Sequence, residues 1–122
     1  MDRPSRYLFV CAGNLNRSPT AEDVFRALAA QAGVEVEVSS AGLSPLAERP
    51  ITKDLADAAD LILVMEDYMA RDLETRYHQD PTKIVCLDIP DIYLRNDPVL
   101  VHLLKEDLTP FVPQGPPRSH PS

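Results

Sequence analysis

The sequence predicts a single α/β domain built on a parallel sheet. Three observations carry that expectation. Two short continuous apolar runs, Tyr7–Val10 and Leu61–Met65, have the character of strands buried on both faces, as parallel sheets require. Amphipathic helical patterns alternate with the strand patterns along the chain. A length of 122 residues with 44% hydrophobic content suits one modest core.

Each element has its own local signal. Tyr7–Val10 is the first strand, and Cys11–Arg17 is a loop holding Gly13 and two Asn, residues that tolerate positive φ. Ser18-Pro19 reads as a helix start, with Ser as N-cap and Pro at the first helical position. The helix runs through residues 19–32 on Val24, Phe25, Leu28 and Ala32, with Gly33 as its stop. Glu22 and Asp23 read as solvated charges of its first turn. Residues 34–39 alternate strictly, which predicts a half-exposed edge strand ended by Ser40-Ala41-Gly42. Residues 43–50 form a loop, and Thr52 caps a short helix through Ala59. Asp60–Glu66 is the third strand. A helix over 67–77 carries Met69, Leu73 and Tyr77 as core, and residues 78–82 turn. Lys83–Asp88 is the fourth strand, with Cys86 inside it as inert core. Asp97-Pro98 starts a last helix, 98–108, with an apolar side of Val99, Leu100, Leu103, Leu104 and Leu108. The domain is expected to span 1–112, and 113–122 to be a Pro-rich disordered tail.

Composition narrows the partners. The net charge is −7 with no basic block, which argues against nucleic acid. Two cysteines make no disulfide framework. The start, Met1-Asp-Arg-Pro, does not read as a signal peptide, and no apolar run is long enough to span a membrane. A cytoplasmic location is expected. His102 has no ligand-spaced neighbour, and there is no Walker motif, so neither metal nor cofactor is expected. The sequence sets no oligomeric state.

The chemistry concentrates in residues 7–20. Strand, tight loop and helix N-terminus make an anion site, in which loop N–H groups converge and the helix dipole adds positive charge. Arg17 closes the loop with a planar fork suited to two phosphate oxygens. Cys11 opens it at the carboxyl end of the strand, where such sheets bind ligands. The helix terminus and Arg17 favour the Cys11 thiolate. A thiolate beneath a bound phosphate is placed for in-line attack on phosphorus, and the Ser18 hydroxyl is placed to stabilise the sulfur as it leaves.

Val10-Cys-Ala-Gly-Asn-Leu-Asn-Arg-Ser-Pro-Thr-Ala-Glu22 resembles the low-molecular-weight protein tyrosine phosphatase signature, V-C-x-G-N-x-C-R-S-P-x-A-E. Asn16 stands where that family has a second Cys. The Asn-x-Asn-Arg-Ser form also resembles the RNA polymerase II C-terminal-domain phosphatases. The resemblance implies a four-stranded sheet in the order 2-1-3-4 with helices on both faces. It implies a phosphate held by the loop residues Ala12, Gly13, Asn14, Leu15, Asn16 and Arg17. Ser40 is then expected under the loop, supporting Asn14, and Tyr93 is expected to line the substrate cleft. Between Ser40-Ala-Gly and Arg49-Pro-Ile-Thr-Lys-Asp54 this chain lacks the insert that forms one cleft wall in the family, which predicts a more open site.

A leaving oxygen needs a proton, and Asp88, Asp91 and Asp97 are the candidate acids. The family's D-P-Y-Y lies best on Asp91-Ile-Tyr-Leu, so Asp91 is preferred, then Asp88, then Asp97. The reading is a cysteine-dependent phosphomonoesterase, in the first place a protein tyrosine phosphatase, with Cys11, Arg17, Asp91 and Ser18 as catalytic residues. Its substrate would be a phosphorylated protein or a small phosphomonoester. A phosphate-binding module without turnover is the alternative. Arsenate reductase is disfavoured, because Cys86 lies in a strand rather than in a mobile loop.

Overall fold

The computed structural model describes residues 5–113. The four strands are β1 (Arg6–Cys11), β2 (Glu37–Gly42), β3 (Leu61–Val64) and β4 (Ile84–Cys86). The four helices are α1 (Arg17–Ala32), α2 (Lys53–Ala58), α3 (Asp67–Arg76) and α4 (Pro98–Leu108). The sheet order is β2-β1-β3-β4 and every pairing is parallel.

The centre of the sheet is what the apolar runs predict. Tyr7 to Cys11 are all buried, because β1 is flanked by strands on both sides and covered by helix on its faces. Phe25 of α1 lies on this strand, 4.5 Å between centroids from Tyr7 and 5.7 Å from Phe9. Helix α1 also packs on β2 and α4, while α3 packs on β3 and β4. The chain reverses direction across the sheet after β2. With right-handed crossovers, that reversal places α1 and α3 on opposite faces. It also opens a crevice at the carboxyl ends of β1 and β3.

Local signals fix several boundaries. Gly33 takes φ 72° and closes α1 in the left-handed cap that a Cβ would strain. Thr52 Oγ1 accepts the Leu55 N–H, and Asp97 accepts the Val99 N–H with Pro98 opening α4.

Four expectations are corrected. Helix α1 begins at Arg17, its N-cap is Asn16, and Ser18 makes no cap, because its hydroxyl is turned to the cysteine. β2 starts three residues later than the alternation suggests, and Ser40-Ala41-Gly42 is strand, paired with Phe9, Val10 and Cys11. The cause is register: the inner half of β2 is buried against β1, and burial on both faces hides the alternation there. Ala32 is exposed, so the buried stripe of α1 is Ala21, Val24, Phe25 and Ala29. Val99 also faces solvent. The expected tail lies, from Gln114 onward, outside the described residues.

Asp60 ties the entry to β1 to the entry to β3. Its Oδ2 accepts the Ser5 and Arg6 N–H groups at 3.0 and 2.9 Å, and these bonds hold its carboxyl below the usual carboxylate range. A depressed value in the folded state stabilises above the ordinary range and is lost as the pH falls through the folded value. Asp60→Ala should therefore cost about 1 kcal/mol at pH 7, after allowance for solvent screening. The difference from wild type should be smaller at about pH 2.5 than at pH 7. Urea unfolding at the two pH values checks this, and a pH-independent difference would refute it.

Candidate active site

The loop after β1 is shaped by where its carbonyls go. The carbonyls of Cys11, Ala12 and Gly13 accept the N–H groups of Leu43, Ser44 and Glu48, at 3.0, 2.9 and 3.2 Å. A trans peptide points its N–H away from its C=O. Pinning three carbonyls to the 43–48 loop therefore turns the following N–H groups to the other side, where the Asn14 N–H reaches the cysteine. Asn14 completes the bend at φ 55°. Gly42 lets the two loops meet, since a Cβ there would lie 2.6 Å from the Ala12 oxygen and 3.0 Å from the Asn14 nitrogen.

Cys11 sits at the floor, buried. Its Sγ receives the Asn14 N–H at 3.2 Å and lies 2.9 Å from Ser18 Oγ. Ser18 Oγ accepts from Asn14 Nδ2 at 2.9 Å, so its own proton is free to point at the sulfur. A second acceptor for that proton, the Ala41 carbonyl, lies at 3.5 Å. Ser40, expected under Asn14, instead donates to Glu22 Oε1 at 2.6 Å. The reason is that Glu22 is not simply solvated: it is half-buried between Ser40 and Arg26. The support for Asn14 comes from Ser18.

Arg17 is only 2% exposed. Its Nη1 donates to Glu66 Oε2 at 2.5 Å and to the Ile89 carbonyl at 2.7 Å. That saturates one end of the fork and leaves the Nε–Nη2 edge for a ligand. Asp91 Oδ1 lies 3.7 Å from Nε. A cavity of about 100 Å³ opens here, lined by Cys11, Gly13, Leu15, Asn16, Arg17 and Asp91. Its size suits a phosphoryl group. A larger cavity of about 510 Å³, near Ala29, Val34 and Glu37, lies at the opposite end of the sheet and holds none of these residues.

The three candidate acids separate. Asp97 is spent as the α4 cap. Asp88 is exposed at φ 59°, in the turn that brings the Ile89 carbonyl to Arg17. Asp91 faces the cavity. Tyr93 is half-buried against the core and is not among the residues lining that cavity, because its ring covers the core beneath the segment. The rim is open, with Leu15 54% and Ile92 73% exposed. Cys86 is half-buried at the end of β4, where burial pushes its thiol up.

Two residues of the site escape sequence reasoning. Glu66 reads as the end of a strand, and nothing local marks it as the partner of Arg17. Tyr68, two residues on, is partly exposed, and its hydroxyl is pushed up first by burial and then by the charge of Glu66. The one available signal is position: both follow the carboxyl end of a strand neighbouring β1.

The fold and this loop define a class, an α/β domain with a cysteine–arginine anion loop at the switch point of a parallel sheet. The family model described as low molecular weight phosphotyrosine protein phosphatase matches residues 6–53. A curated relative named protein-arginine-phosphatase, from Bacillus subtilis (strain 168), is 38% identical over 80 residues, covering 48% of this chain and 53% of the relative. A second from the same strain, low molecular weight protein-tyrosine-phosphatase YfkJ, is 55% identical over 38 residues, covering 30% of this chain and 24% of that one. The solved tyrosine phosphatase Wzb from Escherichia coli K30, in complex with phosphate, shares the fold at TM-score 0.74 and 23% identity, covering 89% of this chain and 96% of that one. The chain is thus similar to low molecular weight phosphotyrosine protein phosphatases, through residues 6–53 by the family model and through most of its length by fold. It spans about half the length of the first curated relative and about a quarter of the second. Among the described residues, no helix is long and apolar enough to cross a membrane.

The pairing of Arg17 with Glu66 carries a stability prediction. Glu66→Ala leaves a buried guanidinium with the Ile89 carbonyl and the distant Asp91. It should cost roughly 1–3 kcal/mol, discounted because the carboxylate is one-third exposed. Glu66→Gln keeps an acceptor and should cost less. Urea midpoints for the two variants check the order, and wild-type stability in Glu66→Ala would refute the pairing.

Proposed function

We propose that the chain is a cysteine-dependent phosphomonoesterase. The observation that supports it best is the convergence on one sulfur of the Asn14 N–H and the Ser18 hydroxyl, below a cavity walled by Arg17 and Asp91. The phosphoryl group sits among the N–H groups of residues 12–17 and on the Nε–Nη2 edge of Arg17. The Cys11 thiolate attacks phosphorus, the P–O bond to the leaving group breaks, and Asp91 gives that oxygen its proton. Asp91 then takes a proton from water, which attacks the cysteinyl-phosphate, and Ser18 stabilises the departing thiolate. The expected setting is the cytoplasm, and the reading calls for no metal or cofactor.

The two curated relatives carry names for two different substrates, phosphoarginine and phosphotyrosine. The apolar rim of Leu15 and Ile92 favours an aryl leaving group over a guanidinium. The substrate we propose is therefore a phosphotyrosyl protein.

Hydrolysis of p-nitrophenyl phosphate over pH 4–8 tests the reading. Cys11→Ser should abolish turnover. Asp91→Asn should lower kcat roughly 10²-fold. A wild type that binds vanadate but releases no nitrophenol would leave only a binding module. A phosphotyrosyl peptide should exceed the matching phosphoarginyl peptide in kcat/KM by at least about tenfold, and the reverse order would overturn the substrate assignment.

A further inference from the structure

The Asn16 side chain reaches from the loop to the segment that follows β4. Its Oδ1 accepts the Arg95 N–H at 3.1 Å. One turn along α1, Thr20 Oγ1 donates to the Asn16 carbonyl at 2.7 Å and accepts the Asn96 N–H at 3.0 Å. Two consecutive amides of the 91–97 segment are thus held by the start of α1. Asn96 takes φ 64°, the bend that presents both amides to the same side. Arg95 adds an ion pair to Asp23 of α1 at 3.5 Å, but that pair is half exposed. Elsewhere in the segment Tyr93 is half-buried against the core, while Ile92 and Leu94 face solvent and Asp91 is 65% exposed.

We propose that Asn16 is a positioning residue for the general acid. Its carboxamide oxygen fixes the Arg95 amide, and with it the distance between the Asp91 carboxyl and the leaving oxygen above Cys11. This rests on the reading of Asp91 as the acid. An error of about 1 Å in such a group costs roughly 10²-fold in rate. Asn suits the task because its carbonyl oxygen is a full acceptor, whereas Ala or a thiol would leave the Arg95 amide to water.

The test compares two substrates that need the acid to different degrees. Phenolate leaves poorly without a proton, and 2,4-dinitrophenolate leaves unaided. The ratio of kcat/KM for phenyl phosphate over 2,4-dinitrophenyl phosphate reads proton donation in the first step, and changes in phosphate binding cancel. Asp91→Asn should lower this ratio roughly 10²-fold. Asn16→Ala should lower it about tenfold. Asn16→Asp keeps Oδ1, and the effect of its charge on phosphate is common to both substrates, so its ratio should stay within about threefold of wild type. Thr20→Val, which frees the Asn96 amide, should lower the ratio at least about threefold and carries the test if Asn16→Ala does not fold. A lowered ratio in Asp91→Asn with an unchanged one in Asn16→Ala and Thr20→Val overturns the positioning role alone. An unchanged ratio in Asp91→Asn overturns the choice of acid and the inference with it. Absence of wild-type turnover overturns the phosphatase reading.

Discussion

A guanidinium at 2% exposure is the constraint on which the carboxyl end of this sheet depends. Taking such a charge out of water costs several kcal/mol unless it is paired and hydrogen-bonded. Arg17 meets that demand with a carboxylate at the end of β3 and a carbonyl just past β4. The first turn of α1 is thereby tied to the exits of two strands remote in sequence. Asp88 accepts a left-handed φ to bring the Ile89 carbonyl round, and the Ile89 N–H returns to the Met65 carbonyl at 2.9 Å. Satisfying one buried charge thus assembles three strand ends around a cavity.

The same economy shapes the loop. Its carbonyls are consumed by the 43–48 loop, so its amides are what it offers to the cysteine. The short connection after Gly42 suffices for this. Leu15 and Ile92 stand exposed at the rim of the cavity.

The sequence reveals the parts of this arrangement that are local. Gly33, Thr52 and the Asp97-Pro98 pair mark helix ends through steric or hydrogen-bonding rules that act within a few residues. Cys11, Asn14 and Arg17 are legible because one short loop holds all three. The errors fall where a distant partner decides. β2 slid because pairing to β1 buries Ser40-Ala41-Gly42 on both faces and removes the alternation. Ser18 looks like a cap until the cysteine claims its hydroxyl. Ser40 prefers Glu22, eighteen positions away and one turn up a helix that no strand pattern describes. Glu66 lies 49 positions from Arg17 and carries no local mark at all.

The contrast between Arg17 and Asp91 fits the roles proposed for them. A group that holds a dianion in one place through a whole cycle gains from burial and fixed partners, because rigidity there costs nothing later. A group that gives up a proton and then takes one back needs access to water and no permanent partner. Asp91 is accordingly exposed, and its contact with Arg17 is a loose 3.7 Å. Its placement cannot then come from its own side chain. It comes from its neighbours: Tyr93, half-buried against the core, and the Arg95 and Asn96 amides, which the start of α1 holds.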